Sequence, residues 1–116
     1  MTELAVEIYK ALRRLIQAKH SAVTYKELAE IVSRKHPTHQ RSSSFHAALT
    51  ELTTKCRENG VPCIAAVVCS ASTNRPSQGY YKAAHPRAKT DDSKKTAWER
   101  EHAAVVSNAD KFPAAL

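Results

Sequence analysis

The sequence contains very little glycine and no long apolar run. Only two of its 116 residues are glycine, so neither a GxGxxG fingerprint nor a P-loop can be written, and the nucleotide-binding enzymes that depend on these loops are excluded. The longest apolar runs, residues 64–69 and 103–106, fall far below the roughly 18 residues that a membrane span requires. No charged start followed by an apolar stretch and a small-residue cleavage site opens the chain. We therefore expect neither a membrane protein nor a secreted precursor.

Cysteine is also scarce, and its positions fit no recognised site. Cys56, Cys63 and Cys69 are odd in number and include no CxxC pair, which argues against a disulfide framework and favours a reducing cytoplasm. A reactive thiolate needs an activating neighbour, and a structural zinc usually shows more closely spaced ligand pairs. Burial as small hydrophobic side chains is the favoured interpretation. We expect no catalytic residue, no metal and no cofactor.

Acidic residues are absent from two stretches of the chain. The protein carries a formal net charge of +7, and residues 31–50 and 59–90 hold basic side chains but no Asp or Glu. The other segments together are neutral, so the whole positive excess lies in these two stretches. Such a concentration of positive charge attracts a polyanion. With 42% apolar residues in a chain of this length, we expect one globular domain with a single core.

Two helices are predicted at the start of the chain. Apolar residues recur at helical spacing from Thr2 to Lys19 and define helix one. The sequence Thr24-Tyr25-Lys26-Glu27 is a capping box that begins a short second helix. This helix must end near Lys35, because Pro37 disfavours the helical conformation of the residue before it.

A third helix completes a predicted helix-turn-helix. Ser42 or Ser43 caps its start, and Asn59-Gly60 ends it with a left-handed cap. Helices two and three, joined by a turn from about His36 to Ser42, fit the helix-turn-helix pattern. Helix three would then be the recognition element.

The residue pattern changes after helix three and predicts a β-hairpin. Cys63 to Ser70 is apolar and β-branched, and Gly79 to Lys82 is a second strand candidate beyond a polar loop. Three helices followed by a hairpin are the element order of a winged helix, an α+β fold. We therefore predict a winged-helix domain over residues 1–84.

The last part of the chain is predicted to be a linker followed by a helix. Residues 85–95 lack apolar periodicity, and Thr96-Ala97-Trp98-Glu99 reads as a second capping box at the start of a helical segment over residues 96–112. Trp98, His102, Val105 and Ala109 would lie on one side of it. That side either packs on the domain or forms the contact of a homodimer, and the sequence leaves both open.

The exposed face of helix three and its basic surroundings have the composition of a surface that binds double-stranded DNA. Hydroxyls, a methyl and an imidazole are short enough to let a helix approach base edges, while basic side chains nearby can hold phosphates. The candidate nucleic-acid-binding residues are Arg34, Lys35 and Arg41 before the helix, Ser43, Ser44, His46, Ala47, Thr50 and Thr54 on it, and Asn74, Arg75 and Lys82 in the wing.

Part of the sequence resembles a known family of DNA-binding proteins. The segment Thr24–Ala29, with Val61-Pro62, the apolar run Ile64–Val68 and Gly79-Tyr80, is similar to the C-terminal winged-helix domain of O6-alkylguanine-DNA alkyltransferases and alkyltransferase-like proteins. The family's nucleophile lies in a Pro-Cys-His-Arg motif, whereas Pro62-Cys63 is followed here by Ile-Ala. The resemblance implies a DNA-binding scaffold that lacks the catalytic motif.

Three functions are consistent with these patterns. The first is a small, non-catalytic, cytoplasmic DNA-binding protein that docks helix three in the major groove and its wing on the backbone or minor groove. The second is a protein-binding inhibitor or interaction module of the kind found in phages and mobile elements. The third is a catalytically dead alkyltransferase-like sensor of damaged DNA.

Overall fold

Helices dominate the fold, which is α+β in class. The computed structural model describes residues 1–116 and contains five α-helices, two 3₁₀ turns and one small sheet. In chain order the elements are α1 (Glu3–Gln17), β1 (Val23–Thr24), α2 (Tyr25–Val32), α3 (Ser43–Glu58), a 3₁₀ turn (Ile64–Val67), β2 (Val68–Cys69), α4 (Gln78–Ala84), α5 (Asp91–Ser107) and a final 3₁₀ turn (Ala109–Lys111).

The first three helices begin where the local motifs predict, and α3 ends as predicted, whereas α2 ends at Val32, before the predicted Lys35. The Thr24 hydroxyl accepts from the backbone of Glu27, whose carboxylate accepts from the Thr24 backbone in return, so the capping box is confirmed. Ser42 caps α3 by accepting from the backbone N–H of Phe45 at 3.1 Å. Beyond the end of α3, Gly60 has φ +66°, the left-handed conformation that glycine adopts without strain.

A single core joins all parts of the chain. α3 packs against both α1 and α4, and the segment Cys63–Cys69 is buried throughout. β2 is the last part of this segment and pairs in parallel with β1, with Val68 opposite Val23. The 3₁₀ turn and β2 are therefore the centre of the molecule, around which the helices are arranged.

The predicted β-hairpin is wrong. The first predicted strand, Cys63–Ser70, forms the 3₁₀ turn and the two-residue β2, and the second, Gly79–Lys82, lies inside α4. The first segment is apolar because it crosses the core, so its composition carries no strand periodicity. Tyr80 and Tyr81 are both buried, whereas neighbouring residues of a strand would point to opposite faces. The wing is replaced by a loop followed by a short helix.

The C-terminal helix begins earlier than the sequence predicts. Thr90 is its N-cap, forming a reciprocal capping box with Ser93, and Asp91 and Asp92 occupy the first turn. Carboxylates there interact favourably with the helix dipole. Thr96 lies inside the helix, so the sequence Thr96-Ala97-Trp98-Glu99 does not form the predicted capping box at a helix start. The first turns of α5 are largely exposed, which explains why this part of the helix carries no apolar periodicity.

α5 and the C-terminus are attached to the rest of the same chain. Val105, Ala109 and Phe112 belong to the common core, whereas Val106 is 45% exposed. Side chains of α1 hold the last residues, because Arg13 donates to the Phe112 carbonyl at 3.1 Å and the Tyr9 hydroxyl donates to that of Pro113. The apolar side of α5 is thus covered within one chain.

Candidate nucleic-acid interface

One face of α3 is buried and the other carries small polar side chains. Phe45, Leu49 and Leu52 anchor the helix in the core. Four exposed residues with short side chains recur along the opposite face at helical spacing, and these are Ser43, Ala47, Thr50 and Thr54. Thr54 donates its hydroxyl to the carbonyl of Thr50 at 3.3 Å, so its rotamer is held against the helix. We call these four residues the α3 stripe.

His46, beside the stripe, is held by neighbouring groups. Its Nε2 lies 2.7 Å from the carbonyl oxygen of Gln40, and since a carbonyl only accepts, Nε2 carries the proton. The ring also lies 5.7 Å from that of Tyr25, centroid to centroid. In the neutral ring Nδ1 therefore remains available as an acceptor for a ligand.

A small pocket opens next to His46 where α2, α3 and α4 meet the core segment. Its cavity volume is about 50 Å³, enough for one or a few water molecules. Tyr25, Thr50 and Ser77 contribute polar atoms to a lining that also includes Val68 and Tyr80. The Tyr25 hydroxyl accepts from the Ser77 backbone N–H at 2.8 Å and donates to the Ser77 hydroxyl at 3.1 Å. Tyr25 thereby fixes the start of α4 against α2.

Outside this pocket lies a wider cleft of about 370 Å³, which we call the basic cleft. Lys26 and Arg41 stand on its rim, and the hydroxyls of Ser70, Ser72 and Ser77 line it with Tyr25 and His46. Neither the small pocket nor the basic cleft has a carboxylate in its lining. Both cations are exposed and form no ion pair. The cleft is therefore suited to an anion.

The loop between β2 and α4 is a folded turn that borders the cleft. The backbone N–H of Ser70 donates to the Arg75 carbonyl at 2.9 Å, and the Ser70 carbonyl accepts from the backbone N–H of Asn74 at 2.8 Å. Asn74 is exposed at the tip with φ +58°, a conformation that asparagine tolerates better than most residues. Arg75 is half-buried, and its positive charge opposes the rise in the pKa of Tyr81 that burial causes.

The predicted interface residues do not form one continuous surface. Arg41, His46 and Thr50 meet at the basic cleft and small pocket, whereas Arg34 and Lys35 line a separate groove between α1 and α2. Two more predicted residues, Ser44 and Ala47, border a depression that also contains Glu3 and Glu51. Lys82 is exposed on α4.

Arg57 also lies on the helix surface that the sequence suggests for DNA contact, but it has a structural role. Its guanidinium donates to the carbonyl of Ala83 at 3.3 Å and to that of Ala84. These carbonyls end α4, and a basic side chain there satisfies acceptors that the helix leaves unpaired.

Sequence reasoning missed two residues that shape the cleft. In the sequence Lys26 is only part of a capping motif, yet its position at the start of α2 places it in the lining of the cleft that Arg41 also lines. Ser77 lies in the polar loop before Gly79, and its backbone and hydroxyl bond to Tyr25. No local signal identifies either role, since both depend on which segments meet in space.

The three thiols are buried and poorly suited to nucleophilic chemistry. Burial raises the pKa of Cys56 to about 11, and burial together with a hydrogen bond to Glu101 raises the pKa of Cys63 further. Burial also raises the pKa of Cys69, which borders the basic cleft. No group of three or more His, Cys, Asp or Glu side chains is arranged to hold a metal ion.

No family model, curated protein sequence or solved structure matches this chain. None of its helices is both long and apolar enough to cross a membrane.

Proposed function

We propose that this protein is a small, non-catalytic DNA-binding protein that places α3 in the major groove. The observation that carries the proposal is that His46, on the exposed side of α3, lines the basic cleft, while Thr50 of the α3 stripe lines the small pocket beside it. The exposed side of α3 thus adjoins a cleft that has two unpaired cations and no carboxylate in its lining. This is a helix-turn-helix mode of binding, related to that of winged helices, in which the loop over residues 70–77 stands in place of the wing.

The α3 stripe is suited to reading bases. Hydroxyl groups donate and accept, and the Ala47 methyl can meet the methyl of thymine. Two carboxylates on α3 could repel a duplex, but Glu51 accepts from the backbone N–H of Thr2 at 2.7 Å, and Glu58 lies 3.6 Å from Lys55. The charge of Glu58 is therefore offset by Lys55, whereas Glu51 keeps its charge and is held towards the start of α1.

The basic cleft is suited to holding the phosphate backbone. Lys26 and Arg41 are exposed and make no ion pair, so their charges are available to replace the counterions of DNA. The serine hydroxyls between them can donate to phosphate oxygens, which fixes orientation without reading sequence. Asn74 and Arg75 would then contact the neighbouring backbone or minor groove.

The thiols support a binding role and the proposed cytoplasmic location. All three are unpaired and buried, as expected for cysteines in a reducing compartment. Their raised pKa values leave little thiolate near neutral pH, and catalysis by cysteine requires the thiolate.

The test is a salt titration of affinity for a random duplex, measured by fluorescence anisotropy. Replacing Lys26 and Arg41 by Gln should reduce the slope of log affinity against log salt by about two units, because each phosphate contact contributes roughly 0.9. The matched control replaces the exposed Arg100 and Lys111 by Gln, with the same change in net charge, and should leave the slope unchanged. A salt-independent affinity, or equal effects of the two double variants, would reject the proposal.

A second candidate function is recognition of an alkylated base. It is favoured by one observation, that Tyr25, Val68 and Tyr80, from three of the segments that resemble the alkyltransferase family, line the same small pocket beside α3. A pocket of about 50 Å³ must widen to admit a flipped base. Tighter binding to a duplex with O6-methylguanine than to the unmodified duplex, without a mass gain on the protein, would support this candidate. Equal affinities would remove it.

A further inference from the structure

A second groove lies between α1 and α2, apart from the basic cleft. Its volume is about 400 Å³, and its floor is formed by apolar side chains of the two helices, including Leu15 and Ile31. Both are only partly buried and pack on the core from outside. The groove shares no lining residue with the basic cleft, so a ligand can occupy it independently of one bound at α3.

The rim of this groove is positively charged. Arg14 projects from α1, and Arg34 and Lys35 follow the end of α2. All three are exposed, and none has a salt bridge or a side-chain hydrogen bond within the chain. The one carboxylate in the lining, Glu7, lies 3.5 Å from the ammonium of Lys10. The net charge that faces an incoming ligand is therefore positive.

We propose that this groove binds an acidic amphipathic segment of a partner protein. An apolar floor with a polar rim is typical of protein-binding surfaces, and arginine is enriched at such interfaces. A helix whose apolar side chains recur one turn apart can fill the floor above Leu15 and Ile31, while its flanking carboxylates meet Arg14 on one wall and Arg34 on the other. A sugar-phosphate backbone could pair with the cations but has nothing with which to cover the apolar floor.

This inference goes beyond DNA binding and reassigns two residues that the sequence suggests for phosphates. Arg34 and Lys35 are close in sequence to Arg41, yet they line a groove with apolar residues, whereas Arg41 lines the cleft with serines. If both proposals hold, the protein joins a duplex at α3 to a protein at the α1–α2 groove, which is the arrangement of a recruiting adaptor.

The test uses synthetic helical peptides in which two leucines one turn apart are flanked by glutamates, with the same peptides carrying Gln for Glu as controls. Binding is followed by backbone amide chemical shifts of the whole protein and by fluorescence anisotropy. We expect the acidic peptides to shift the amides of Leu15, Ile31 and Arg34. Replacing Arg34 and Lys35 by Glu should weaken peptide binding by about tenfold or more. Ile31→Gln should also weaken it, because this change removes apolar surface from the floor of the groove.

The matched control is the double variant Lys26→Glu and Arg41→Glu, which changes charge equally in the basic cleft. This control variant should leave peptide affinity within about twofold and reduce DNA affinity. The variant with Glu in place of Arg34 and Lys35 should reduce peptide affinity and leave DNA affinity little changed. The docking proposal fails if no acidic peptide shifts the groove amides, if the Gln peptides bind equally well, or if a duplex shifts them instead. Since DNA affinity is measured on the same variants, failure of the DNA proposal appears separately, as a duplex affinity that neither pair changes.

Discussion

Trp98 donates its indole N–H to the carbonyl oxygen of Ala66 at 2.9 Å. This bond joins α5 to the 3₁₀ turn at the centre of the core, and His102, one turn further along α5, donates from Nε2 to the carbonyl of Ser21. The C-terminal helix is therefore held by polar contacts as well as by burial of Val105 and Phe112.

Trp98→Phe should lower the free energy of unfolding by about 1 to 3 kcal/mol, because it leaves the Ala66 carbonyl without its partner. Truncation after Lys89 should cost more, since it also exposes the core that Val105 and Phe112 cover. Both losses should be independent of protein concentration in thermal melts. Val106→Ala is the matched control on the exposed side of α5 and should change stability little. A truncated chain that melts like the full-length protein would contradict this role of α5.

The hydroxyl of Tyr25 should be needed to anchor the loop before α4. Tyr25→Phe removes both bonds to Ser77, so we expect a loss of about 1 kcal/mol and faster hydrogen exchange at the Ser77 amide. Tyr81→Phe is the natural comparison, because the Tyr81 hydroxyl is buried without a hydrogen-bond partner. Its removal should be neutral or stabilising, and the opposite ranking of the two variants would refute this assignment.

Replacing Thr50 or His46 by Ala should change preference among DNA sequences more than affinity for random duplex. A side chain that reads a base edge contributes on the order of 1 to 3 kcal/mol of discrimination. Selection of preferred sites from a random library, followed by affinity measurements on preferred and random duplexes, provides the comparison. Equal losses on every sequence would mean that these residues contact only the backbone.

The thiols should differ in reactivity towards an aromatic disulfide reagent at mildly alkaline pH. Cys69 borders the open cleft, whereas Cys56 and Cys63 lie in the core with more strongly raised pKa values. Cys69 should be modified first, and the other two should react only on unfolding. Cys69→Ser should remove the early phase without abolishing DNA binding. Rapid modification of Cys63 in the native protein would contradict its environment.

Stability should fall as the solution becomes mildly acidic, in part through His85. Burial lowers the pKa of this histidine, and its Nε2 lies 2.9 Å from the Tyr80 hydroxyl, which can donate to the neutral ring. Because the unfolded chain takes up the proton near the ordinary pKa of about 6.5, stability is lost as pH falls through and below that value. His85→Gln should flatten this part of the pH profile in denaturant titrations. An NMR-monitored pKa of His85 at or above its ordinary value would exclude the mechanism.

Local motifs account for what could be predicted of the first half of the fold. The capping box at Thr24, the N-cap at Ser42 and the left-handed turn at Gly60 each act within a few residues, so each can be recognised in the sequence and is present in the structure. The apolar periodicity of α1 and α3 is equally local, because it records one face of a helix against one core. The composition of the α3 stripe could be predicted for the same reason.

Tertiary contacts decided the rest. Ile64–Val67 is buried on all sides, and a segment without an exposed face has no periodicity to separate a 3₁₀ turn from a strand. The polar first turns of α5 likewise carry no apolar periodicity, and the place where this helix docks depends on the bond from Trp98 to the Ala66 carbonyl. Charge placement shows the same division. The sequence alone determined that all net positive charge lies in two acid-free stretches. Only the tertiary structure decided that Arg34 and Lys35 line one groove and Arg41 lines another. The reason is that side chains a few residues apart point in different directions once the backbone turns.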